Sequence, residues 1–224
     1  MAPRLKDGPA EFLRKSLSSL LVVGPGRAPL TLVLAHGAGA AMDSPFMNVI
    51  AQGVAQTGVR VVRFEFPYMK ARRDGAKRGA PDREPVLRQT WLDVVDELGG
   101  ARRLVIGGKS LGGRIASMVA DEAGVRGLIC LGYPFHPPGR SDHPRTTHLE
   151  TIRTPTLIIQ GTRDPFGPRE EVSTYDLSTS VRFGWIADGD HSFKPRVHSG
   201  RTEAQNLSEA TLLIDGFLQK LARN

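Results

Sequence analysis

The 224-residue sequence contains a single cysteine, Cys130, which excludes an intramolecular disulfide framework and any zinc site built on a cysteine cluster. It has no apolar run near the roughly 18 to 20 residues that a bilayer-spanning helix needs, so no transmembrane segment and no membrane partner are expected. Internal repeats and low-complexity linkers are also missing, which leaves one domain over residues 1–224, with the first 16 free to be flexible. Apolar residues at 40% and charged residues at 24% stand near globular averages, and exclude a disordered, collagen-like or coiled-coil chain.

Lysine is scarce where arginine is not: counting the sequence gives 7 lysines among 30 cationic side chains, on a net charge of +7. A basic protein raises the question of nucleic acid, which binds through counterion release. The arginines are scattered through every segment, however, and no helix interleaves a basic stripe with aromatics, so a nucleic-acid partner is not expected. One local concentration, Lys70, Arg72, Arg73, Lys77, Arg78 and Arg83, either offers a positive field to an anionic substrate or is a solvated basic loop. At the amino terminus Arg14 and Lys15 precede an apolar stretch, but Asp7, Glu11, Ser18 and Ser19 do not fit a signal peptide. Residues 17–23 read as a first strand, and the protein is expected to be cytoplasmic.

Short β-branched runs alternate with segments of helical periodicity, the pattern of an α/β sheet. Strands are expected over 30–35, 59–64, 104–107, 127–131, 156–160 and 181–186. Several are apolar throughout, as strands covered by helices on both faces are, so the sheet should be mostly parallel. Helical stripes are marked by Phe46, Val49, Ile50 and Val54; by Leu87, Trp91, Val94, Val95 and Leu98; by Leu111, Ile115, Met118 and Val119; and by Leu207, Ala210, Ile214, Phe217 and Leu221. Residues 67–85 and 132–155 read as irregular loops that follow strands, and therefore as candidate pocket walls at the carboxyl edge of the sheet.

The strongest chemical signal is Gly108-Lys109-Ser110-Leu111-Gly112, a G-x-S-x-G directly after an apolar strand and directly before a helix. A serine on such a turn takes strained backbone angles and stands exposed at the sheet edge, beside the free amides of a helix amino terminus. The overlapping Gly108-Lys109-Ser110 does not complete a nucleotide-binding P-loop, because position 103 is Arg rather than Gly. A nucleophilic serine needs a base and an orienting carboxylate. Asp164, in Gly161-Thr162-Arg163-Asp164-Pro165-Phe166-Gly167, and His191, in Gly189-Asp190-His191-Ser192-Phe193, follow later strands in the order Ser, Asp, His. The small residues of His36-Gly37-Ala38-Gly39-Ala40 suit an oxyanion site. Its expected donors are the amides of Leu111 and Ala38, with Gly39 as the alternative to Ala38.

With those motifs the chain resembles the α/β-hydrolase superfamily. Phe66-Pro67-Tyr68-Met69, Gly132-Tyr133-Pro134-Phe135-His136-Pro137-Pro138-Gly139 and the three segments above are together similar to a small family of predicted hydrolases. That family groups bacterial proteins with testis-expressed hydrolase-like proteins and a subunit of the non-specific-lethal chromatin complex, and is akin to dienelactone hydrolases. The resemblance covers residues 17–218. It implies an α/β-hydrolase fold with helices on both sheet faces, and a serine hydrolase. Residues 132–155 are too few for a large helical cap, so little or no cap is expected, with a shallow, open pocket for small or medium acyl esters and no cofactor or metal. Two alternatives are an interaction scaffold on the same fold and a peptidase or acyltransferase using the same residues. Dienelactone hydrolases use cysteine, whereas this elbow has serine.

Other residues carry plainer readings beside the functional one. Lys109, Tyr68, His136 and Phe166 are candidate substrate contacts, although Lys109 can equally pack beside the elbow and pair with an acid. His36 braces its glycine loop, Asp164 can close an Asx turn before Pro165, and Cys130 is a buried small hydrophobe. Glu65 is either a pocket carboxylate or a strand-end charge.

Overall fold

Seven strands, most of them apolar, assemble in the computed structural model, which describes residues 20–77 and 79–223. They are β1 (Leu21–Val23), β2 (Thr31–Ala35), β3 (Arg60–Phe64), β4 (Leu104–Lys109), β5 (Gly127–Leu131), β6 (Thr156–Gly161) and β7 (Val181–Ile186). Their order in the sheet is β1-β3-β2-β4-β5-β6-β7, with every pair parallel except β1 on β3. Among the described residues six α-helices pack with them: α1 (Pro45–Gln56), α2 (Pro67–Arg73), α3 (Glu84–Glu97), α4 (Leu111–Ala123), α5 (Arg169–Val172) and α6 (Glu203–Arg223).

The uniformly apolar strands follow from burial on both faces. On β2, Val33 and Ala35 point into a core shared with α3 and α4, while Leu32 and Leu34 point into a second core shared with α1 and α6. Trp91 of α3, fully buried, meets Phe64 of β3 edge to face at 4.7 Å. Proline opens α1, α2 and α3, where its missing N–H costs no hydrogen bond. Gly124 closes α4 in the left-handed region, with φ of 65°.

Three expectations shift. Of the expected first strand, residues 17–19 lie outside the described residues, and β1 runs antiparallel at the sheet edge. The segment 67–85 is not all loop: Pro67 starts α2, whose Tyr68 and Met69 are buried, so the density of basic residues masks a helix that packs by one face. Val49 is 46% exposed, and the buried face of α1 is instead Met47, Ile50, Ala51 and Val54.

The long connection 132–155 stays irregular apart from a single 3-10 turn, Thr147–Leu149, and carries no helical cap. Side chains of α4 hold it down. Asp121 accepts hydrogen bonds from the Arg153 and Thr154 amides and from the Thr154 hydroxyl. The Ser117 hydroxyl, which donates to Arg114 O, lies 2.8 Å from His148 Nε2. Burial, with Arg114 nearby, pushes the His148 imidazole down to about 4 from an ordinary value near 6.5. Below pH 6.5 the unfolded chain therefore takes up a proton that the folded one refuses, so stability should fall as pH drops from about 6.5 to 4. Urea unfolding at several pH values should show this slope flattened in His148→Gln; parallel slopes in the two proteins would contradict it.

Candidate active site

β4 passes into α4 through one residue, Ser110, held at φ 50° and ψ −113°. A non-glycine residue there stores on the order of 1–3 kcal/mol of strain. The conformation is fixed at both ends: Ser110 N donates to Leu131 O at 3.0 Å, and Arg114 N donates to Ser110 O at 2.9 Å. The glycine at 112 follows from close approach, since a Cβ there would come 2.5 Å from Ala35 O on β2. Leu111 is the first residue of α4, so its amide has no acceptor within the helix.

Asp164 is fully buried beyond the end of β6, and its Oδ2 lies 2.8 Å from His191 Nδ1. Its Oδ1 accepts from the Phe166 amide at 2.9 Å, so the Asx turn and the histidine contact coexist, one on each oxygen. Gln160, also fully buried, donates from Nε2 to Asp164 Oδ2 at 3.0 Å while its Oε1 accepts from Tyr133 N at 2.7 Å. Gln160 is a site residue that the sequence reading passes over. The one available signal is a polar residue ending an otherwise apolar strand.

His191 sits on a tight turn after β7. Asp190 Oδ1 accepts from the amides of Ser192 and Lys194, and buried Asn206 of α6 donates to Phe193 O at 2.7 Å. Asp188 faces away, paired with Arg163 and Arg196, and its hydrogen bonds from Arg196 hold its carboxyl below the usual range. The Phe166 ring lies 4.5 Å from the imidazole, centroid to centroid. All described non-glycine residues with positive φ, Ser110, Asp188 and Phe193, fall on the elbow or on this turn.

These parts meet over the end of β5. A Cβ on Gly132 would lie 2.7 Å from His191 O and 3.3 Å from His191 Nδ1, while the preceding Leu131 carbonyl receives the Ser110 amide. Among the described residues no hydrogen bond joins the Ser110 hydroxyl to the imidazole; such contacts commonly tighten when substrate binds.

The glycine loop after β2 lies beside the elbow: a Cβ on Gly37 would be 3.8 Å from Ser110 Cβ. Its carbonyls are held from behind. His36 Nε2 accepts from Phe66 N at 3.1 Å, which leaves the proton on Nδ1 to donate to Gly37 O at 2.7 Å. Burial keeps this imidazole neutral by lowering it from its ordinary value. Tyr68 donates its hydroxyl to the Gly37 and Ala38 carbonyls, both at 3.3 Å, and Arg72 donates to Ala38 O.

Of the candidate substrate contacts, Phe166 alone is placed against the imidazole with part of its surface free. Tyr68 lies behind the glycine loop. His136 is buried, donating from Nδ1 to Pro137 O with Nε2 3.3 Å from Glu171. Lys109 points beneath the site and donates to His191 O at 2.6 Å, so its partner is a carbonyl rather than an acid. Glu65 is a strand-end charge held by Arg73 at 2.6 Å, and Arg73 also pairs with Asp43. That consumes part of the basic cluster. Among the described residues no group of three or more His, Cys, Asp or Glu side chains could hold a metal ion, and no helix is long and apolar enough to cross a membrane.

Comparison with known proteins bears on the fold that presents this strained serine and the buried Asp–His pair. Residues 28–219 match the model of the alpha/beta hydrolase domain. The chain belongs to that family. An alpha-beta serine hydrolase homologue from Coxiella burnetii is 21% identical, with 88% of this chain and 89% of that one covered and a TM-score of 0.66. Dienelactone hydrolase from Anabaena variabilis is 21% identical, with 90% of each chain covered and a TM-score of 0.70. A serine hydrolase without lid from Xanthomonas campestris is 20% identical over 91% of this chain and 86% of that one, at a TM-score of 0.61.

In this alpha/beta hydrolase the strain at Ser110 is open to measurement. Ser110→Gly removes the Cβ that makes φ 50° costly, whereas Ser110→Ala keeps it. Chemical unfolding should find Ser110→Gly more stable than Ser110→Ala by about 1 kcal/mol. Equal midpoints, or a less stable glycine variant, would show that the elbow is not strained.

Proposed function

We propose that this alpha/beta hydrolase is a serine hydrolase that cleaves small or medium acyl esters through Ser110, His191 and Asp164. The observation that carries the reading is the buried 2.8 Å Asp164–His191 hydrogen bond on the sheet edge that also presents the strained Ser110. Asp164 holds the Nδ1–H tautomer, which leaves Nε2 free as base. Gln160 and the Phe166 amide keep the carboxylate in place. His191 takes the Ser110 proton as the hydroxyl attacks the ester carbonyl, and the Leu111 and Ala38 amides stabilise the oxyanion that forms. His191 then protonates the leaving alcohol. In the second half of the cycle a water deprotonated by His191 attacks the acyl carbon, and His191 passes that proton to Ser110 Oγ as the acyl–oxygen bond breaks and the acid leaves.

The uncapped connection 132–155 supports an open site, suited to compact esters rather than long lipids. We also place the chain, on its five motifs, with the small family of bacterial and testis-expressed hydrolase-like proteins that the sequence resembles. Its partner is a small-molecule ester, handled without a cofactor.

Turnover of a short aryl ester tests the assignment. Ser110→Ala should lower kcat by at least ~10³-fold with the fold intact, because such residues act as a unit. Asp164→Asn should cost at least ~10²-fold, whereas Asp190→Asn, which keeps an oxygen for the Ser192 and Lys194 amides, should stay within about tenfold of wild type. Unchanged turnover in Ser110→Ala, or Asp190→Asn proving worse than Asp164→Asn, would overturn the reading.

A further inference from the structure

A lysine is an expensive residue to bury, and Lys109 is buried one position before Ser110. Only 8% of it is exposed. Its Nζ donates to His191 O at 2.6 Å, lies 5.5 Å from the centre of the Phe46 ring, and leaves no room for a side chain at Gly132, whose Cβ would come within 2.9 Å. The charged and titratable groups that face it come from two connections: Asp164 after β6, and Asp190 and His191 after β7. The Phe46 ring of α1, Gly132 at the end of β5 and Gly37 of the loop after β2 also pack against it. Among the described residues no carboxylate reaches it as an ion pair.

Stability does not account for such a group. A buried cation whose one close partner is a carbonyl loses more solvation than it regains, and an apolar side chain of similar length would fill the space at lower cost. Burial pushes the Lys109 ammonium down to about 8 from an ordinary value near 10.5, against support from Asp164 and Asp190. The position does have a geometric consequence. The hydrogen bond spans 82 residues of sequence and joins the strand that carries the elbow directly to the turn that carries the imidazole.

We propose that Lys109 is a positioning residue: through its hydrogen bond to the His191 carbonyl it fixes the turn that holds the imidazole over the elbow. This rests on the Ser110–His191–Asp164 reading above.

The test compares wild type, Lys109→Met, Lys109→Arg and Ser110→Ala on one aryl ester at about pH 7. Lys109→Met should lower kcat roughly tenfold with KM within about twofold, because the base is misplaced while the binding surface is not. Lys109→Arg keeps N–H donors for the His191 carbonyl and should recover kcat to within about threefold of wild type. Lys109→Met should be at least as stable as wild type. A merely structural role would instead lower stability and activity together. A wild-type kcat, a KM raised in step with the loss of kcat, or a destabilised fold in Lys109→Met would each overturn the proposal while leaving the serine mechanism intact. Turnover surviving in Ser110→Ala would remove the mechanism itself.

Discussion

Everything at the sheet edge depends on the chain reversing from β4 into α4 within the single residue Ser110. That reversal is possible because the first turn of α4 lies directly on the end of β2, where only glycine fits at position 112 against the Ala35 carbonyl. The same close packing that permits the turn keeps it from relaxing, since the amide and carbonyl of Ser110 are each held by backbone partners. The strain is thus carried by the most deeply buried strands of the sheet, not by a flexible loop. A packed parallel core of this kind is what can hold a residue in a sparsely populated conformation.

Around the elbow, backbone carbonyls are tied to buried polar side chains. Gln160 ties Asp164 to the chain after β5, Asn206 ties the histidine turn to α6, and Lys109 ties that turn to β4. On the opposite side His36, Tyr68 and Arg72 occupy the carbonyls of the glycine loop. Each bond fixes a peptide plane or a rotamer rather than touching the reacting atoms. In the proposed mechanism, preorganisation of that kind keeps reorganisation small when charge develops.

The strands and the elbow are legible in the sequence because they rest on local signals: short apolar runs, a glycine-serine-glycine spacing, and an ordered Asp and His each following a strand. The braces are not. Lys109 meets His191 across 82 residues, Tyr68 meets Ala38 across 30, and Gln160 is read as the end of a strand until Tyr133 is known to lie beside it. The helix α2 is hidden for a related reason. Its basic residues suggest a solvated loop, yet Arg73 is drawn to Glu65 and Asp43, and Arg72 to the Ala38 carbonyl and the Tyr68 ring, partners that only the fold brings near. Asp164 shows the reverse case: two competing readings, a turn former and a histidine partner, are both correct because the carboxylate has two oxygens.

Whether Ser110 is an activated nucleophile is answered most directly by covalent chemistry. Intact mass after exposure to a fluorophosphonate probe should show one adduct per chain, mapping to the peptide that contains Ser110 and lost on heat denaturation before labelling. A folded protein that takes up no probe, or that is labelled elsewhere while Ser110 stays free, would contradict the central claim.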